Sequence, residues 1–306
     1  MRRRMIAAIV AVLGFLAALL LVGEVLSHSA HRVIGPAPSN LHAMPVNIHT
    51  VAGQPVSGWM IRGTPGAGAV LLLHGVRADR REMLGRARFL AGLGYSLLLI
   101  DLPAHGESAG EHITYGLAES QGVTAALSYL ASEFPAEKIG VIGTSLGAAA
   151  LVLAKPTVPL SAVVLESMFP TIHEAVTDRL MIYLGPLGAS LAPLLLWQLP
   201  LRLNISADQL RPIDELASLH APLLMVAGSV DRHTTLAETE RIYAAARDPK
   251  ELWVVNGAAH EDLHAFDPPT YEKRISTFLS KHLRETVATQ KNGTPSAGSP
   301  THAWSL

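Results

Sequence analysis

Cysteine is absent from the 306 residues, and that alone removes a disulfide framework, a thiolate nucleophile and any zinc site built on sulfur. It also leaves the compartment open on redox grounds. An excess of charge is missing too: 24 Lys and Arg against 25 Asp and Glu give a formal net charge of -1. A nucleic-acid partner therefore has no electrostatic support. No stretch recurs at solenoid or propeller spacing. No organic cofactor is implied, and oligomeric state is not legible. What remains is a chain long enough to bury one large core as a single α/β domain.

The N-terminus carries a different signal. Arg2, Arg3 and Arg4 precede a run from Met5 to Gly23 with no charged residue. At about 1.5 Å per residue that run approaches the ~30 Å hydrocarbon thickness of a bilayer. Basic residues on the short side favour a cytoplasmic N-terminus, so the remainder is expected in the periplasm or extracellular space. A cleaved signal peptide is the rival, because Ser27, Ser29 and Ala30 suit a cleavage site, but the run exceeds the usual ~7 to 15 residue apolar region. The expected organisation is an anchor or signal segment over 1–30 and a linker over 31–44 with Pro36, Pro38, Ser39 and Asn40. A folded domain over 45–284 and a disordered polar tail over 285–306 follow.

Within the domain, apolar runs alternate with helical patterns in the manner of βαβ units. Expected strands are Val46 to Thr50, Val56 to Arg62, Ala69 to His74, Ser96 to Asp101, Lys138 to Ile142, Ser161 to Leu165, Leu223 to Ala227 and Leu252 to Val255. Expected helices are Glu82 to Leu93, Gly116 to Glu133, Leu146 to Ala154, Leu236 to Ala246 and Pro269 to Leu283. Near-continuous apolar strands in the middle imply a mostly parallel eight-stranded sheet with helices on both faces, its first pair antiparallel.

Gly143-Thr144-Ser145-Leu146-Gly147 lies where an apolar strand meets a small-residue helix, the setting of a nucleophile elbow. A serine hydroxyl needs a base, and the base needs a carboxylate to fix its tautomer. Two later strand ends supply both in the order Ser, acid, His. The run Pro222 to Asp231 ends on an acid, and Glu251 to His260 ends on a histidine. Glu166, just after the sixth strand, is an alternative acid.

With Ala69 to Val76 running into His74-Gly75, and with Asp101-Leu-Pro-Ala-His105-Gly106-Glu-Ser108, these motifs resemble an α/β-hydrolase of the serine aminopeptidase-like and BEM46-like membrane-anchored group. The resemblance spans roughly residues 45 to 283. It implies backbone N–H donors at Val76 and Leu146 as an oxyanion hole. It also implies a cap at about 168–212, where Leu180 to Leu201 is strongly apolar and punctuated by Gly185, Pro186, Gly188, Pro193 and Pro200. A second membrane span is the rival reading of that stretch, against which the prolines and the flanking Arg179 and Arg202 speak. The expected activity is hydrolysis of hydrophobic esters or related acyl substrates by Ser145, His260 and Asp231, with an aminopeptidase or amidase as the alternative. A non-catalytic membrane-tethered binding protein on the same fold is a further one.

Other motifs compete. His260-Glu-Asp-Leu-His264 matches H-E-x-x-H, a zinc signature when it lies on a helix, but Pro268-Pro269 cut it short and no third ligand follows. Asp101 and His105 read as a turn-forming network, and His74 as a partner of loop backbone. Arg77, Asp79, Arg80 and Arg81 read as a solvated loop and helix start, with Arg77 near enough to Val76 to meet an anionic substrate group.

Overall fold

The computed structural model describes residues 1–284, so the expected tail at 285–306 lies outside the described residues. Eight strands form one sheet: β1 (Met44–His49), β2 (Pro55–Ile61), β3 (Ala69–Leu73), β4 (Ser96–Ile100), β5 (Ile139–Thr144), β6 (Leu160–Glu166), β7 (Leu223–Gly228) and β8 (Lys250–Val255). Their order across the sheet is β8-β7-β6-β5-β3-β4-β2-β1. Six neighbours from β8 to β4 pair in parallel, and β2 alone runs against the rest, antiparallel to both β4 and β1. Every expected strand is present, displaced by at most two residues at its ends.

The apolar runs are continuous because both sheet faces are covered. Along β3 and β4, Leu71, Leu73, Leu98 and Ile100 face one layer with α3 (Leu117–Glu133) and α4 (Leu146–Leu153). Val70, Leu72, Leu97 and Leu99 face the other, against α2 (Leu84–Gly92) and a late helix, Pro268–Leu283. That late helix is amphipathic, burying Tyr271, Ile275, Phe278 and Leu279, and it starts under an Asp267 cap with Pro268 in its first turn. The helix expected from Glu82 begins earlier, as a 3₁₀ turn over Arg80–Met83, because the Asp79 side chain accepts the Arg81 N–H and caps it.

Between β6 and β7 the apolar stretch folds as a helical hairpin, α5 (Ile172–Leu184) and α6 (Pro186–Leu196), followed by the short α7 (Leu199–Leu203). Gly185, at φ 64°, makes the turn, and Gly188 lets α6 approach α5 so closely that a Cβ there would lie 2.2 Å from Leu180 O. Between β7 and β8 runs α8 (Leu236–Ala245), opened by a Thr235–Glu238 capping box; Pro268–Leu283 is then α9.

The N-terminal helix α1 (Arg2–Ser27) is the one helix among the described residues long and apolar enough to cross a membrane. It runs four residues past the expected end at Gly23, and its last turns rest on α6 and α7. Residues 31–44, expected as a linker, are fastened along the domain. Ala30–His31 pairs in parallel with His105–Gly106, Arg32 bridges to Asp79 at 3.2 Å, and the Ile34 and Gly35 N–H groups donate to Glu107.

Candidate active site

Ser145 stands at the carboxyl end of β5, beside the point where strand order reverses between β5 and β3, where open α/β sheets bind ligands. Its backbone is strained, at φ 48° and ψ -106°, a region that residues with a side chain seldom occupy. The N–H of Ser145 donates to Glu166 O at 2.8 Å, which helps hold that bend. Both flanking glycines are sterically required. A Cβ on Gly143 would sit 2.8 Å from Ala148 N, and one on Gly147 would sit 2.7 Å from the carbonyl oxygens of His74 and Leu73.

Asp231 and His260 come from the loops after β7 and β8. These loops touch because Gly228 admits the Ala258 carbonyl where a Cβ would be 2.3 Å away, and Val230 N–H donates to Ala258 O at 3.0 Å. Asp231 Oδ1 accepts the N–H groups of His233 and Thr234 at 2.8 and 3.0 Å, and Oδ2 faces His260 Nδ1 at 2.8 Å. A carboxylate can only accept, so Nδ1 carries the proton and Nε2 is left as a base. Burial by itself raises the Asp231 carboxyl, but the His260 ring and the two loop amides hold it below its ordinary value. His233 stacks on His260 at 5.1 Å, and burial together with the His260 charge lowers it to about 4. Among the described residues Ser145 Oγ makes no hydrogen bond, so His260 is joined to Asp231 but not directly to Ser145.

The loop after β3 is fixed by buried polar groups. His74 Nε2 accepts the Leu102 N–H at 2.9 Å while Nδ1 donates to Gly75 O at 2.7 Å. Burial and the neighbouring His105 lower His74 to about 3, so it is a neutral strut. Gly75 N–H donates to Glu82 Oε2 at 2.7 Å. The next amide, Val76, and that of Leu146 have no acceptor among the described residues.

Ser145, Val76 and Leu146 line one cavity of about 330 Å³, of a size ordinary for small-molecule sites. Its walls are otherwise largely apolar, including Phe169 and Leu180, with Arg77 and Arg179 as cationic exceptions and with Val22 and Leu26 contributed by α1. A larger, more open groove of about 790 Å³ beside β1 and α3 carries none of the expected site residues.

The competing readings resolve on geometry. Glu166 is fully buried but is taken by Arg86 Nη2 at 2.5 Å, by the Tyr271 hydroxyl and by Thr144 Oγ1, and none of its hydrogen bonds goes to His260. In the H-E-x-x-H stretch the helix spans only Leu263–Phe266, and His264 turns to Glu272 at 3.1 Å while His260 faces Asp231. Two imidazoles committed to separate carboxylates do not form one metal face. Asp101 accepts the N–H of Arg80 and of Glu107, both at 2.8 Å, as a turn-forming carboxylate, and His105 is buried against Pro103 O. Arg77 does not face the substrate space freely: its guanidinium donates to the Val25, Leu26 and His28 carbonyls and closes the end of α1.

Three contributors were not anticipated. His233 had a signal, two residues beyond Asp231 in the same loop. Arg179 was noticed only as a charge flanking an apolar stretch, and α1 as a pocket wall had none, because its composition speaks only of lipid.

A family model described as alpha/beta hydrolase family matches residues 70–274. An uncharacterised protein of Mycobacterium tuberculosis is 34% identical over 255 residues, covering 81% of this chain and 84% of its own. Among solved structures, the esterase Pf2001 of Pyrococcus furiosus superposes with a TM-score of 0.68 at 25% identity, covering 83% of this chain and 98% of its own. An esterase of Exiguobacterium antarcticum shares the fold, with a TM-score of 0.58 at 14% identity over 78% of this chain and 100% of its own.

Proposed function

Because this chain belongs to the alpha/beta hydrolase family, we propose that it is a membrane-anchored serine hydrolase cleaving carboxylic esters of hydrophobic acyl groups. Ser145 Oγ attacks the acyl carbonyl carbon, and its proton passes to His260 Nε2. The charge that develops on the carbonyl oxygen is taken by the Val76 and Leu146 amides, aided by the N-terminus of α4. Collapse of the tetrahedral species expels the alcohol, which carries away the proton from His260. Water then repeats the sequence on the acyl-enzyme and releases the acid. Asp231 orients His260 throughout and stabilises its imidazolium.

The observation that carries this reading is the largely apolar cavity lined by Ser145, Val76 and Leu146, the last two with amides that have no acceptor among the described residues. Each amide donor is worth about 3 to 4 kcal/mol in the transition state. The Pyrococcus furiosus neighbour is an esterase, which supports the ester class. In this reading the domain lies on the non-cytoplasmic side, which Arg2, Arg3 and Arg4 in the first turn of α1 support. A series of p-nitrophenyl esters of rising acyl length, run on the wild type and Ser145→Ala, tests it. A chain-length optimum abolished by the substitution is expected. Full turnover by Ser145→Ala, or none by the wild type at any length, would overturn it.

A further inference from the structure

The end of α1 is built into the domain. Gln198 Nε2 donates to Leu19 O at 3.0 Å, Arg202 donates to Leu20 O at 2.9 Å and pairs with Glu24, and Arg77 closes the final carbonyls. Gly23 faces the Gln198 amide closely: a Cβ there would lie 2.3 Å from Gln198 Oε1 and oblige that side chain to shift. The same turns present Val22 and Leu26 to the cavity that holds Ser145. The helix long and apolar enough to cross a bilayer thus supplies part of the cavity wall near its C-terminal end.

The cap beside it exposes an unusual amount of apolar surface. Tyr183 is 76% exposed, Leu187 78%, Trp197 64% and Leu201 70%. Trp197 and Leu201 each directly precede a residue, Gln198 or Arg202, that grips α1. Apolar surface of this extent marks an interaction face, and here it is continuous with a helix whose own apolar side chains need lipid. Aromatic rings such as Tyr183 and Trp197 suit the boundary between headgroups and acyl chains.

We propose that the cap sits in the outer boundary of the bilayer in which α1 is anchored, so that the cavity mouth beside Val22 and Leu26 takes acyl chains from the lipid phase. This deepens the reading of Ser145 as the nucleophile of an esterase and rests on it for the chemistry. The occupant is the lipid leaflet, and the substrate class is a membrane-resident acyl ester.

The full-length protein is reconstituted in phosphatidylcholine vesicles as wild type, Trp197→Phe and the double variant Leu187→Asp/Leu201→Asp, the substituted side chains lying outside the cavity. Turnover is read on 4-methylumbelliferyl butyrate in water and on 4-methylumbelliferyl oleate within the vesicles, and tryptophan fluorescence is read in brominated phosphatidylcholine. The double variant is expected to keep butyrate turnover within about twofold and lose vesicle oleate turnover by about tenfold or more. Wild-type fluorescence is expected to be quenched more than that of Trp197→Phe. Equal oleate turnover by variant and wild type, with no Trp197 quenching, would overturn the membrane seat. If the wild type hydrolyses neither ester, the Ser145 reading falls, and the Trp197 difference alone decides the seat: present, it stands; absent, it is overturned.

Discussion

Asp231→Asn separates orientation from folding in this site. In the wild type, Oδ1 takes two backbone N–H groups and Oδ2 takes His260 Nδ1. An asparagine that keeps its oxygen on the two amides must turn its NH₂ group to His260. Nδ1 then has to accept, and the proton moves to Nε2, where it blocks transfer from Ser145. The opposite flip would restore the tautomer but set the NH₂ against the His233 and Thr234 amides, leaving two donors unmet at about 1 to 3 kcal/mol each. The productive flip is therefore disfavoured by at least about 2 kcal/mol, so only a few per cent of molecules hold it. Loss of the correct tautomer in a serine triad costs about 10⁴-fold in turnover, roughly 5 kcal/mol. The expected result is kcat/KM on a p-nitrophenyl ester reduced by about 10² to 10⁴-fold, with circular dichroism and thermal midpoint near the wild type. A folded Asp231→Asn protein within about tenfold of wild-type kcat/KM would refute the role given to this carboxylate.

Other perturbations follow from the same contacts. Gly147→Ala places a methyl against two backbone carbonyls and should destabilise the domain by about 1 to 3 kcal/mol, whereas Gly92→Ala, with open space around it, should be neutral or slightly stabilising; equal thermal midpoints for the two would contradict the packing argument. Arg86→Met strands the buried Glu166 carboxylate and is expected to cost about 3 to 5 kcal/mol in urea unfolding, with Arg86→Met/Glu166→Leu recovering much of it; an unchanged single variant would show the pair contributes nothing. Burial and the charge of Glu238 raise Asp178, on α5, to about 7. A raised carboxyl stabilises below its ordinary range and loses that contribution as pH climbs through the folded value, so the thermal midpoint should fall between about pH 5 and about pH 8. Glu238→Gln should flatten that slope, and a slope unaltered by it would remove the pair as the cause.

Strand and helix positions were legible because the sheet is buried on both faces, so runs such as Ala69 to Leu73 and Leu97 to Ile100 have no polar residue to interrupt them. The elbow was legible for a steric reason: only glycine fits at 143 and 147, so the pattern survives as letters. Asp231 and His260 could be paired in advance because neighbouring parallel strands deliver their loops to one rim. The rest depended on which surfaces meet. Arg77 looked like a solvated loop residue until its carbonyl partners at the end of α1 were known. The apolar run of the cap did not disclose its hairpin, since the Gly188 approach to Leu180 is a contact, not a periodicity. Residues 31–44 looked like a linker because proline and asparagine mark irregular chain whether or not it is pinned. The role of α1 was hidden most completely, since Val22 and Leu26 suit lipid and cavity equally well.

The most direct test of the account is mass-spectrometric mapping of a fluorophosphonate adduct on the full-length protein. The account predicts one adduct, on Ser145, with ester turnover lost in proportion to labelling, and neither labelling nor turnover in Ser145→Ala. Ester hydrolysis that persists in the fully labelled protein, or an adduct on another residue with Ser145 unmodified, would contradict it.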